Sequence, residues 1–323
     1  MARALRANGP ILGIALVLAG ALLYRLLRGG PGVAAVELQA LLSGLLSGGV
    51  YALVAMGLAL IFGVLDVINF AHGAMMALAM YSTYVLVTRT GIDLYLAAVI
   101  SAPLLFGFGM LVQRTLIAPV LGSAGESQLL LTLGLAIVIE NALLIGFGGE
   151  PHSVHSRSLA SLLPAGVHVG SAVVATPRVV AFAASLLLAA ALYLLLHRTR
   201  IGTAIRAVAE NPRGAALIGL NARRLYAIAF GLGTACVGAA GAFVLPFTSL
   251  EPSAGEQYNI VAFVVVVLGG LGSVTGAAAA GIVIGLVQEL GGAAFPGVNN
   301  FLLVFVVFLV TLVLRPRGLF GRR

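Results

Sequence analysis

Charge is what this chain of 323 residues has least of: 9% of its residues are charged, 61% are hydrophobic, and the mean hydropathy is +1.12. Such a composition excludes a soluble globule of this length, which needs far more polar residues to coat its surface. It predicts an all-α, polytopic integral membrane protein of about 8–10 transmembrane segments, some short or broken. Lysine is absent, so all eighteen cations are arginines, and they lie in short segments between apolar runs. That is the arrangement of membrane topology, not of nucleic-acid binding. No phosphate-cradling GxxxxGK[ST] sequence exists either, so the chain carries no evident ATPase machinery of its own. Its one cysteine, Cys236, lies within an apolar run. It excludes an intramolecular disulfide and a cysteine metal site, and reads as a small packed core residue.

At about 20 residues per crossing, candidate spans fall near 11–27, 41–62, 72–88, 96–114, 128–146, 178–197, 226–247, 258–270, 277–290 and 299–314. The pieces 258–270 and 277–290 are short and separated by the glycine-rich GLGSVTG, which predicts a broken or re-entrant pair. If every span crosses and the polar stretch 198–224 is cytoplasmic, both termini are cytoplasmic too. Thirteen arginines then lie inside and five outside, among them Arg89 and Arg178, in keeping with the positive-inside rule. Residues 1–36 form an extra N-terminal apolar segment ahead of a domain at 37–323. Its basic start and small residues at 32–35 fit a retained helix, and also a signal sequence.

Polar residues inside apolar runs are the next signal. In GVLDVINFAHGAMMALAMY, residues 63–81, Asp66, Asn69 and His72 sit within seven residues, and a charge at bilayer depth costs about 3 kcal/mol on insertion scales. One reading is a helix break that lines or gates a translocation path, with Gly73 bounding it and Asn69 capping a helix that starts at Phe70. The other is a turn at the water interface. Upstream, Gly44, Ser47, Gly48, Gly49 and Gly57 predict close helix packing, with Ser47 a candidate for the path. Glu140 and Asn141 place a carboxylate and an amide inside the fifth segment, where a charge invites a functional reading and also fits satisfaction by neighbouring helices. The outer connection 146–177, with His152, His155 and His168, lacks the ligand set of a zinc site and reads as a solvated loop facing an external partner. LGGLGSVTGAAAAG, 268–281, follows the strand-like VAFVVVVL but has GxGxxxG spacing in place of the dinucleotide fingerprint GxGxxG. Its glycines suit close backbone approach or a buried turn.

The stretch HRTRIGTAIRAVAENPRGAALIGLNARR, 197–224, holds six of the eighteen arginines. GTAIRAVAE at 202–210 predicts a short amphipathic helix with Ile205 and Ala209 on one side and Arg206 and Glu210 on the other. Asn211 reads as an N-cap and Pro212 as the first residue of a second helix, ending near Gly219 or Asn221. A crown of small residues, Gly214, Ala215 and Ala216, suits insertion into a groove on a partner. An ordinary inside loop needs the arginines but not this Glu-Asn-Pro corner.

INFAHG at 68–73, AVAENPRGAALIGLNARRL at 207–225, VLGGLGSVTGA at 267–277 and RPRGLFGR at 315–322 together resemble the branched-chain amino acid permeases of bacterial ABC importers, over roughly residues 40–322. The resemblance implies a membrane subunit that is not itself an enzyme, needs no cofactor of its own and sits in the bacterial inner membrane. It implies a second, related permease as heterodimer partner, two cytoplasmic ATP-binding subunits that hold the ATP and Mg, and an external substrate-binding protein. The Glu-Asn-Pro loop is similar to the family's ATPase-coupling element, which implies that role for Arg206, Glu210, Asn211, Pro212, Ala215 and Gly219. The alternative of another class is an ion-coupled transporter or channel in which Asp66, His72 or Glu140 titrates.

Overall fold

A computed structural model describes residues 32–154, 164–315 and 318. Among these, eleven α-helices follow in order: α1 (Val33–Leu65), α2 (His72–Thr90), α3 (Leu94–Val112), α4 (Gly125–Phe147), α5 (Thr176–Arg198), α6 (Arg200–Glu210), α7 (Pro212–Leu217), α8 (Ala222–Val244), α9 (Glu256–Gly269), α10 (Val274–Ala294) and α11 (Asn300–Leu314). Six are long and apolar enough to cross a membrane: α1, α3 with its extension to Val120, α4, α5, α8 with its extension to Phe247, and α10. The fold is that of a polytopic helical membrane protein. The expected first span, residues 11–27, lies outside the described residues, and α1 starts at Val33, so the helix reaches back across residue 36.

Glycine decides how closely the central helices meet. α1 and α10 run antiparallel and touch through backbone: a Cβ on Gly48 would lie 2.9 Å from Ile282 Cα, and one on Gly281 would lie 2.5 Å from Ala52 Cα. Further along α1, a Cβ on Gly57 would meet Gly233 O of α8 at 2.5 Å. Packing of this kind holds helices together where no water is available to drive apolar surfaces into contact. The windows of α1 and α8 that cross are 83% buried within the protein, whereas those of α4 and α5 are 22% buried and turn most of their apolar side chains outward.

Two helices begin part-way through this bundle. Residues 66–71 leave the end of α1 without helical structure and double back, so that His72, the first residue of α2, hydrogen-bonds Val54 O, well up α1. α9 also starts in the interior. Gly255, just before it, lies against Gly73 so closely that neither could carry a side chain, and α9 then descends until Gly272 faces Gly63 at the end of α1. α2 and α9 therefore start beside each other and run apart.

Several expectations change against this frame. VAFVVVVL, strand-like in composition but placed in a span, is helical, the body of α9: an isolated apolar strand here would leave its backbone groups unpaired, whereas a helix satisfies them within itself. At 14 residues α9 spans about 21 Å and is too short to cross. α10, at 21 residues, is long enough, so only one of the expected broken pair is short. The turn between them is as read from the glycines, with Ser273 capping α10 by accepting the Gly276 N–H at 3.1 Å. The outer connection is not wholly loop: β1 (Gly166–Val169) and β2 (Ala172–Ala175) form an antiparallel hairpin that turns at Gly170. The hairpin is tied to α1 by the Val173 N–H donating to Gln39 Oε1 at 3.0 Å.

Replacing Gly281 by Leu should force α1 and α10 apart and lower stability by about 1–3 kcal/mol or more. A fall in the melting temperature of detergent-solubilised protein checks this, and an unchanged value would contradict the backbone crossing.

Candidate functional site

The break at 66–71 is where polar side chains gather, and each answers a backbone group that has no helical partner. Asn69 Oδ1 accepts the Ala71 N–H at 3.2 Å. Thr132 Oγ1, from α4, accepts the Phe70 N–H at 3.2 Å and lies 3.1 Å from Ile68 O. Asn259 Nδ2, from α9, donates to Phe70 O at 3.0 Å, and the Phe70 and Phe263 rings stack at 4.8 Å. Helix α2 starts at His72 and not at Phe70, so Asn69 closes the turn before the helix and leaves its first residues uncapped by any side chain. Residues 66–71 are thus a break between α1 and α2 in which Val67, Asn69 and Ala71 are buried while Asp66 and Ile68 are exposed. Thr132 and Asn259, which hold the break, were not visible in the sequence, because they lie in helices far along the chain and nothing local to them points to the break.

The residues of the ion-coupled alternative lie in different surroundings. Asp66 is exposed at the end of α1 in a left-handed conformation (φ 55°). His72 is fully buried with Nε2 3.0 Å from Val54 O, which fixes Nε2 as the N–H donor, and Gly73 beside it is buried against Gly255. Glu140 is half-buried on α4, where its nearest charged influence is Glu256, and Asn141 turns back to donate to Ile137 O at 2.8 Å. His152 packs edge-on to Tyr84 at 5.3 Å and pairs through its backbone with Leu250, His168 lies exposed on β1, and His155 is outside the described residues.

Ser47 does border an open space. A cavity of about 40 Å³ lies among α1, the start of α5, the end of α8 and α9, room for about three water molecules. Its polar lining is Ser47, Tyr51, Tyr258 and Arg178, and Leu46, Val50, Val244 and Phe247 form the apolar side. Arg178 is half-buried and lies over the Phe247 ring, 5.6 Å from its centroid. Arg178, counted in the sequence as one of the outer arginines, was missed as a site residue. Its place directly after Thr176 and Pro177, at the head of an apolar run, was the available sign.

The corner at 200–221 is built from caps. Thr199 Oγ1 accepts the Gly202 N–H at 3.1 Å and starts α6; Asn211 Oδ1 accepts the Gly214 N–H at 2.9 Å and starts α7, with Pro212 as its first residue. Gly219 takes φ 84° to end the turn, and Asn221 Oδ1 accepts the Arg224 N–H at 3.1 Å to start α8. Ile205 and Val208 anchor α6 in the core, while Arg206, Glu210, Asn211, Pro212 and Arg213 are exposed. Two details differ from the sequence reading. Ala209 is exposed, and the buried residues of α6 are Gly202, Ile205 and Val208, because three residues, not four, bring the helix back to its inner face at that point. Of the small residues Gly214, Ala215 and Ala216, Ala215 is buried at 4% exposure and seats the corner on the protein, Ala216 is exposed, and the largest projecting side chains are Leu217 at 89% and Ile218 at 75% exposure.

A family model for the branched-chain amino acid transport system permease component matches residues 40–313. The chain belongs to that family. It is 28% identical over 299 residues to the high-affinity branched-chain amino acid transport system permease protein BraD of Pseudomonas aeruginosa, covering 88% of this chain and 96% of the relative. The corresponding permease protein LivH of Escherichia coli is 28% identical over 294 residues, with the same coverage of 88% and 96%. The ribose import permease protein RbsC of Bacillus subtilis is 30% identical over 129 residues, 38% of this chain and 39% of the relative. No solved structure matches the chain. As a member of this family the permease is a transport subunit and not an enzyme.

Two substitutions test the local geometry. Thr132→Val should leave the Phe70 N–H and Ile68 carbonyl without their partner and cost about 1–3 kcal/mol, with Thr132→Ser recovering most of it; thermal unfolding of the two variants checks the order. Asn211→Ala should weaken the start of α7 by about 1 kcal/mol, and Asn211→Asp should not. Faster hydrogen exchange at 212–218 in the alanine variant alone is the expected result.

Proposed function

We propose that the permease is the membrane-spanning subunit of an ATP-driven importer for branched-chain amino acids or related small polar solutes in the bacterial cytoplasmic membrane, with its C-terminus in the cytoplasm. A second, related permease completes the pathway, a substrate-binding protein delivers the solute from outside, and two ATP-binding subunits hold the ATP and Mg. The chain binds no cofactor of its own.

The observation that carries this reading is the exposed Leu217–Ile218 tip on a corner whose every turn is capped. A free loop gains nothing by holding two large aliphatic side chains in water, but burying each on a partner is worth about 1.5–3 kcal/mol. Arg206, Glu210 and Arg213 are exposed on the same corner and set which charges the partner must present. α6 is anchored by Ile205 and Val208 and joins directly to α5, so a push on the corner passes into the bundle as a rigid movement. ATP-driven closure of the partner subunits would move residues 200–221 together and shift the permease between outward-open and inward-open states.

Leu217→Asp should lower ATP-dependent uptake at least tenfold in proteoliposomes containing the whole transporter, and Glu210→Arg should uncouple it similarly. Uptake in the unsubstituted transporter should persist when ion gradients are collapsed and stop when ATP is withheld. Unchanged uptake and unchanged ATPase stimulation in both variants would remove the basis for the docking role.

A further inference from the structure

The cavity beside Ser47 holds a charge, Arg178, with no counter-ion in contact among the described residues. Arg178 offers five N–H donors in a planar fork, yet its close neighbour is the face of Phe247, which accepts positive charge but takes none of those hydrogen bonds. Half-buried, the Arg178 fork keeps donors open to a ligand, and a planar carboxylate is the group that answers a guanidinium with two parallel bonds. The Ser47 hydroxyl shares the lining and the Tyr51 and Tyr258 rings meet edge-on there at 6.2 Å.

The surroundings add a second charge of opposite sign. Gly44, Ser47 and Tyr51 fall on one face of α1, at i, i+3 and i+7, and the missing side chain at Gly44 lets Glu289 of α10 approach that face: a Cβ on Gly44 would lie 3.3 Å from Glu289 Cβ. Arg178 and Glu289 act electrostatically on each other and on Tyr51. The space therefore presents a guanidinium and hydroxyls beside an apolar wall, with the Glu289 carboxylate side chain one turn away at Gly44, which matches a zwitterion carrying a branched aliphatic side chain.

We infer that Arg178 recognises the carboxylate of a small zwitterionic α-amino acid, in a transit site formed with Ser47, Tyr51 and Tyr258. Glu289 complements the ammonium group, and the aliphatic wall receives the side chain. The cavity at about 40 Å³ admits a carboxylate and not a whole leucine, so this conformation is the contracted state of the site, with Arg178 resting on Phe247 until an anion draws it away. This inference rests on the amino-acid importer reading.

The test uses the complete transporter in membrane vesicles with Ser47→Cys as a reporter, since the native Cys236 is buried. Leucine at millimolar concentration should slow maleimide labelling at position 47 at least fivefold, and leucinamide, which lacks the carboxylate, should not. Adding Arg178→Gln should abolish protection, and Arg178→Lys should retain part of it, a distinction that a merely structural arginine would not produce. Co-purification with the ATP-binding subunits shows that each variant is assembled; if the glutamine variant fails that check, the lysine variant decides, and undiminished protection in it counts against bidentate recognition. Labelling that is absent without leucine, equal protection by leucine and leucinamide, or protection that survives Arg178→Gln would overturn the site. ATP-dependent leucine uptake by the unsubstituted transporter separates the two levels: uptake without protection removes the cavity and keeps the importer, whereas no leucine uptake removes the substrate and the site together.

Discussion

Wherever the chain departs from helix inside this bundle, its backbone groups must find partners without water, and the arrangement of the centre follows from that requirement. Residues 66–71 meet it by borrowing side chains from α4 and α9, and the first residue of α2 gives its own side chain to α1. Because each of these bonds joins a different helix, the break fixes where α2 and α9 begin and how α4 stands beside them. The Gly73–Gly255 approach is part of the same solution, since two helix starts that meet in the interior leave no room for side chains between them.

The polar residues in and before the INFAHG segment are held in different ways. His72 is a hydrogen-bond donor to Val54 O, Asp66 is exposed at the end of α1, and Glu140 is half-buried on α4. Among the polar groups that border open space, Ser47 and Arg178 lie on elements that the sequence separates by more than a hundred residues.

Much of the architecture was legible because local chemistry writes it. Helix limits follow apolar runs and caps, and Asn211, Pro212 and Gly219 behave as their residue types demand. What could not be read depends on distance along the chain. Thr132 and Asn259 look like ordinary interior polar residues until the break they serve is beside them. The direction of Ala215 is set by how α7 seats on α6 and α8, which no local pattern encodes, and the prominence of Leu217 and Ile218 follows from it. VAFVVVVL shows the same limit of local composition: its β-branched residues are a weak preference for strand, and the shortage of partners for an isolated strand overrides it in favour of helix.

The glycine-lined crossing of α1 and α10 has a further consequence for entropy. Side chains that become buried lose rotamer freedom, at up to about 2 kcal/mol each for long ones, whereas glycine has none to lose. An interface made of Gly44, Gly48, Gly281 and Gly285 therefore gains its dispersion contacts with almost no side-chain ordering, and it has no alternative rotamers through which to loosen. The centre of the permease is stiff for the same reason that it is close.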